Sequence, residues 1–129
     1  MFQIDDKSNV AIYEQIIWKI KELRLRGVLR PGEKLPSVRE LSAMIIANPN
    51  TVSKAYQELE RQGVIETRQG KGTFMAEAMS NMPDPRYRAA IKEQLQRMVI
   101  DAIYAGLSLP EIQSWLQEEF EKLGGGKDA

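Results

Sequence analysis

Asn50, Ser53, Lys54 and Gln57 recur at helical spacing and present short or flexible polar side chains with no acid among them. Such amides, hydroxyls and amines can pair with base edges and phosphates in a DNA major groove about 12 Å wide. A plain solvated helix face is the competing reading, although such faces usually mix acids with bases. Arg39 falls in the first turn of a preceding helical segment, where backbone N–H groups also lack partners. Its guanidinium could clamp a phosphate or fork onto a guanine, or pair at the surface with Glu40 or Glu33. Arg68 and Lys71 flank the glycines of Gly70-Lys71-Gly72. Glycine lets backbone approach a phosphate or the minor groove closely, and the cations supply attraction. A simple hairpin turn is the alternative there. The glycines do not form a nucleotide-cradling loop, because no helix follows them in the required place.

Catalysis is a poor match to this inventory. The 129 residues contain neither histidine nor cysteine, which removes the commonest general base, the thiol nucleophile and the usual zinc ligands. No carboxylate or lysine cluster replaces them. The expectation is a binding protein without metal or cofactor, and not an enzyme.

Hydrophobic periodicity supplies the elements that must position these residues. Ile12, Ile16, Ile20 and Leu23 form one apolar stripe, predicting a helix over about residues 10–26 that stops at Gly27. A turn-rich link follows over residues 29–36. Ser37-Val38-Arg39-Glu40 has the capping-box form and opens a short helix to about residue 46, with Val38, Leu41 and Ile45 on one side. Asn48-Pro49 then starts a new helix, asparagine as cap and proline first in the helix, running to about Gln62 and ending at Gly63. Its Val52, Ala55, Tyr56 and Leu59 face a core. Two short helices joined by a tight turn make a helix-turn-helix candidate. Residues 64–68 and 73–75 read as strands around the turn at residues 69–72, a β-hairpin placed where a winged variant needs one.

Residues 78–86, with Pro83 and Pro85, read as a linker. A further helix over about residues 85–105 carries Ile91, Leu95, Met98 and Ala102 on one stripe. A second capping box, Ser108-Leu109-Pro110-Glu111, starts a last helix bearing Ile112, Trp115, Leu116 and Phe120 and ending at Gly124. About forty residues in two helices cannot readily bury two aromatics and several aliphatics alone, so these eight side chains are expected to form a homodimer interface. Packing within one hairpin is the alternative. Trp115, Met98 and Tyr104 could line a small-molecule effector pocket between subunits, although such stripes are more often plain core. The fold class expected is mainly α with a small β-hairpin. A winged helix-turn-helix over residues 1–77 is followed by the linker, a two-helix dimerisation region over residues 87–124 and a disordered tail over residues 125–129.

Formal net charge is zero, but its distribution is uneven. Residues 1–23 carry −1, residues 24–75 carry nine bases against five acids, and residues 76–129 carry −3. A basic middle permits local attraction to phosphates despite the neutral total. No apolar run approaches the roughly 20 residues that span a bilayer, and the first residues lack a signal-peptide pattern. Cytoplasmic location is the expectation.

The order and wording of these features resemble the GntR family of bacterial transcription regulators. The matching stretches are Tyr13-Glu14-Gln15-Ile16, residues 29–41 beginning Leu29-Arg30-Pro31-Gly32-Glu33, residues 48–60 beginning Asn48-Pro49-Asn50-Thr51-Val52, and residues 63–74 with Arg68-Gln69-Gly70-Lys71-Gly72. As an ordered set over about residues 10–75 they are highly specific. The resemblance implies a homodimer that binds an inverted-repeat operator in double-stranded DNA, with repression as the family default. It implies DNA contacts from Ser37 and Arg39, from Asn48, Asn50, Thr51, Ser53 and Lys54, and from Gly70 and Lys71 in the minor groove. The short helical tail is similar to that of the YtrA subgroup, whose members often regulate transporter operons. The chain is too short for the aminotransferase-like or larger effector domains of other subgroups. Two positions depart from the family pattern: Ala11 stands where proline is common, and Ile46-Ala47 where a glycine or polar residue usually precedes a larger aliphatic. A protein-interaction module on the same scaffold is the competing function, and fold alone does not separate the two.

Overall fold

The computed structural model describes residues 2–78 and 85–124, which fall into two compact units divided after Ser80. The expected tail at residues 125–129 and most of the expected linker lie outside the described residues.

The first unit opens with α1 (Ile12–Leu25), whose Ile16, Ile17, Ile20 and Leu23 are buried. Ala11 offers no side-chain cap. Gln15 compensates: its amide donates to the carbonyls of Val10 and Asp5, both at 2.9 Å, and accepts from the Asp5 N–H. The residues before α1 are thereby tied to its first turn without a proline. At the other end Gly27 adopts φ +80°. The Val28 N–H returns to the Leu23 carbonyl and the Gly27 N–H to that of Arg24, closing the helix with orphan carbonyls satisfied.

Helix α2 (Val38–Ile45) begins with the expected capping box, Ser37 Oγ accepting from the Glu40 N–H at 3.0 Å and Glu40 Oε1 from the Ser37 N–H at 2.9 Å. Helix α3 (Pro49–Arg61) is capped by Asn48, whose side-chain oxygen accepts from the Asn50 N–H at 2.8 Å. It buries Val52, Ala55, Tyr56 and Leu59, the face its periodicity predicts, against α1 and α2. Between the two helices Ile46 takes a left-handed conformation, φ 53° and ψ 58°, with its side chain 92% exposed. This is the turn where the family pattern often has a glycine or polar residue. The buried hydroxyl of Ser42 donates to the Ala47 carbonyl, and the Ala47 N–H donates to the Ser42 carbonyl at 3.0 Å, holding the bend.

Strands β1 (Ile65–Arg68) and β2 (Gly72–Met75) pair antiparallel, Ile65 opposite Met75 and Arg68 opposite Gly72. The link before α2 is more ordered than a turn-rich reading suggests. Its backbone runs beside β2, with Gly32 N–H to the Met75 carbonyl, Met75 N–H to that of Glu33, and Leu35 N–H to that of Thr73. A third, short strand-like edge thus covers the hairpin. Ile65, Met75 and Leu35 point inward and complete the core.

The second unit contains α4 (Pro85–Tyr104) and α5 (Leu109–Leu123), joined through Gly106 at φ +80° and the Ser108–Glu111 capping box. Its apolar side chains are not enclosed. Ala102 is buried, but α5 buries none of its residues. Ile91, Leu95, Met98, Leu116 and Phe120 are all exposed, as is Trp115 at 51%. Beyond the predicted stripe, Val99, Ile100, Ile103 and Tyr104 are exposed too, so the last two turns of α4 are apolar around most of their circumference. Among the described residues no helix is long and apolar enough to cross a membrane.

Candidate nucleic-acid interface

Three elements of the first unit carry the residues singled out by type and spacing: the start of α2, the first half of α3 and the hairpin. Two hydrogen bonds fix them to one another. Tyr56 Oη, on the buried side of α3, donates to the Pro36 carbonyl at 2.6 Å, which pins the chain just before α2. Burial pushes the Tyr56 phenol well above its ordinary value, with the Glu40 charge adding to the effect, so the donor keeps its proton throughout the neutral range. At the far end of α3, Glu60 accepts from the Thr67 N–H of β1 at 3.1 Å, setting the hairpin against the helix.

Arg39 is exposed in the first turn of α2. Neither carboxylate that could have neutralised it does so. Glu40 is occupied by the capping box, and its carboxyl is held below the usual range chiefly by the backbone N–H of Ser37. Glu33 accepts instead from the Arg30 N–H at 2.9 Å. Arg39 therefore presents an unpaired guanidinium among the described residues.

Along α3, Asn50, Lys54 and Gln57 are exposed, and Thr51 and Ser53 are half-buried at its edge. The Lys54 ammonium lies over the ring of Tyr13 in α1, 4.1 Å from the centroid. That cation–π contact restrains a long side chain that would otherwise sweep freely. Nothing in the spacing of either residue reveals it, because Tyr13 and Lys54 meet only through the packing of α1 on α3. Asn48 and Ser37 each spend a side-chain acceptor on a helix cap. What remains to them for an outside partner is the Asn48 amide N–H pair and the Ser37 hydroxyl proton. Arg61, outward on the helical wheel, is held by Glu58 at 2.6 Å and belongs to the solvated end of the helix.

At the hairpin tip Gly70 sits at φ +76° with open space around it, and Lys71 is exposed. Arg68 is less available than the sequence suggests. It pairs with Glu66 at 2.8 Å and Glu77 at 3.6 Å, and its guanidinium stacks 4.3 Å from the centre of the Phe74 ring. The arrangement offers hydrogen-bond donors and unpaired cations on a rigid three-helix frame with a projecting glycine tip. It holds no group of three side chains suited to a metal among the described residues.

Comparison with known proteins extends this picture. Residues 12–75 match the family described as "Bacterial regulatory proteins, gntR family". The chain is 53% identical, over 127 residues and 98% of each protein, to the HTH-type transcriptional repressor YtrA of Bacillus subtilis strain 168. It superposes on the crystal structure of a transcriptional antiterminator from Listeria monocytogenes EGD-e with a TM-score of 0.87 and 46% identity, covering 95% of this chain and 92% of that one. A crystal structure of AraR(DBD) in complex with operator ORX1 matches with a TM-score of 0.50 and 25% identity, covering 59% of this chain and all of that one.

Proposed function

This chain belongs to the gntR family of bacterial regulatory proteins, and from that membership we propose that it works as a homodimeric repressor of an inverted-repeat operator. The family makes it a DNA-binding transcription regulator with a winged helix-turn-helix, and not an enzyme. The finer reading rests above all on one observation. The start of α2 and the exposed side of α3 present Arg39, Asn50, Lys54 and Gln57 outward, with Glu33 and Glu40 both engaged by backbone N–H groups. In this reading α3 enters the major groove, with Asn48, Asn50, Thr51, Ser53 and Lys54 toward bases and phosphates and Ser37 and Arg39 beside them. Gly70 and Lys71 approach the minor groove. Arg68 contributes only if its pairs with Glu66 and Glu77 open.

Homodimerisation is supported by the uncovered apolar surface of α4 and α5, with Ile91, Leu95, Met98, Trp115, Leu116 and Phe120 exposed to a second copy, Ile112 half-buried and Ala102 buried. A two-fold dimer places two recognition helices about 34 Å apart, on successive major grooves of one DNA face. The first unit is then the reading head and the second the dimerisation arm. Trp115, Met98 and Tyr104 are open to solvent in a single chain, so a small-molecule effector pocket lined by them needs the second copy to complete it. The relative named a repressor carries the proposal of repression; control of a transporter operon is the family-level extension.

Repeated selection of bound duplexes from a randomised pool tests the proposal. Enrichment of two inverted half-sites, their centres about one helical turn apart, supports it. Enrichment of a single half-site or a direct repeat overturns the two-fold dimer, and no enrichment at low salt overturns the operator reading.

A further inference from the structure

We infer that Lys34 is a phosphate-binding residue that bridges the hairpin and the start of α2, completing the cationic edge of the interface. The inference rests on the DNA-binding reading above and adds a residue from a segment that looks like a connecting turn in the sequence.

Lys34 lies on the strand-like edge beside β2, where its backbone bridges to Phe74. Alternation along that edge sends Leu35 into the core and leaves Lys34 exposed. Its side chain crosses the outward face of the hairpin: a Cβ placed on Gly72 would lie 3.0 Å from its Cε and 3.6 Å from its Nζ. Gly72, at φ +121°, is thus bare on the side where the lysine stem passes, and the missing side chain lets the ammonium reach toward the tip. The same face carries Arg68, opposite Gly72 in register and stacked on Phe74. Of these two cations Arg68 is already neutralised by Glu66 and Glu77, whereas Lys34 makes no ion pair among the described residues. On its other side Lys34 lies within electrostatic range of Glu40. That carboxyl is held low first by the Ser37 backbone and hydroxyl, and the Lys34 charge adds to this. Because Glu40 is committed to the cap, it does not close onto the lysine.

An exposed ammonium therefore lies beside Gly72, the chain neighbour of Lys71 at the tip, and within electrostatic range of Glu40, the chain neighbour of Arg39 in α2. A phosphate is the counter-ion such a position lacks. The bland alternative is a strut, in which the methylenes of Lys34 cover Phe74 and Gly72 and the charge does nothing. Lys34→Met keeps the stem and removes the charge, and Lys34→Arg keeps the charge, so the two roles separate.

The experiment is a binding titration of full-length wild type, Lys34→Met and Lys34→Arg over a salt series. Each is run against the selected duplex and a scrambled duplex of equal length, with thermal melts of the free proteins alongside. One phosphate contact per protomer, two per dimer, predicts that Lys34→Met weakens both duplexes by a similar factor and lowers the slope of log affinity against log salt by about 2. Lys34→Arg should retain the wild-type slope, and all three proteins should melt together. A wild-type slope in Lys34→Met overturns the inference whatever its affinity, and an unchanged melting temperature with that slope assigns the strut, whose stem methionine preserves. If wild type itself binds neither duplex, the DNA reading falls and this inference with it, a result distinct from an unchanged slope.

Discussion

Replacing Ile46 with glycine should stabilise this protein although it deletes a whole hydrophobic side chain. Ile46 occupies the left-handed region at φ 53°, ψ 58°, where a Cβ crowds the following carbonyl at a cost of about 1–2 kcal/mol, and β-branching stiffens it further. Burial does not offset the strain, since the side chain is 92% exposed. Glycine removes the crowding but enlarges the freedom of the unfolded chain, worth about 0.4–1 kcal/mol against it. The net gain is about 0.5–1 kcal/mol. For a unit of this size that raises the melting temperature by roughly 3–6 °C. Far-UV circular dichroism melts at one fixed chain concentration read the shift, the concentration being held because association couples to stability. Ile46→Ala is the discriminating control: it keeps a Cβ in the same conformation and should recover little. Ile46→Gly melting at or below wild type would refute the reasoning, as would Ile46→Ala matching it. Glycine needs no change of backbone to occupy the turn, so the relative placement of α2 and α3, and with it DNA affinity, should persist.

Two further outcomes follow from the same structure. The Tyr56 phenol titrates above its ordinary value of 10.0 in the folded state, so its contribution to stability is complete below pH 10 and is lost as pH rises beyond it toward the folded value. Stability measured by denaturant titration should therefore fall across the alkaline range, and Tyr56→Phe should flatten that fall while costing about 1 kcal/mol at neutral pH through loss of the bond to the Pro36 carbonyl. Leu95→Asp and Leu116→Asp each place a charge on apolar surface that a single chain leaves open. They should give a monomer by sedimentation, with helical content of the first unit intact and operator affinity down roughly 100-fold through lost bivalency; a persistent dimer would contradict the assignment of α4 and α5.

Much of the fold is legible in the sequence because local rules and burial agree. The stripe Ile16, Ile20 and Leu23, the caps at Ser37, Asn48 and Ser108, and the glycines at 27, 63 and 124 act within one or two turns of chain, and the helices begin and end within a residue or two of them. Strand ends shift by one residue, Gly72 pairing with Arg68 where a turn was expected. What the sequence hides depends on contacts between distant segments. The link at residues 32–35 opens with a glycine, is flanked by Pro31 and Pro36 and looks like turn, yet β2 supplies partners for its backbone. Arg68 looks like a free wing cation until Glu66, Glu77 and Phe74 gather around it. Lys54 looks unrestrained until α1 packs Tyr13 beneath it. Ile46 runs against local propensity altogether: a left-handed turn with no glycine is set by the packing of α2 and α3 on either side, a case of tertiary structure overriding residue preference. The apolar second face of α4 escapes a search for a single stripe, because Val99, Ile100 and Ile103 lie off it.

The claim that the start of α2 and the exposed half of α3 form a DNA-reading surface is tested most directly by one titration. Wild type and Arg39→Ala are compared on the duplex upstream of the protein's own gene and on a scrambled duplex, at low and moderate salt. The account predicts site-preferring binding by wild type that weakens steeply with salt, and a loss of about 1–3 kcal/mol in Arg39→Ala with the fold unchanged. Wild-type affinity in Arg39→Ala, or no duplex binding by wild type even at low salt, would contradict it.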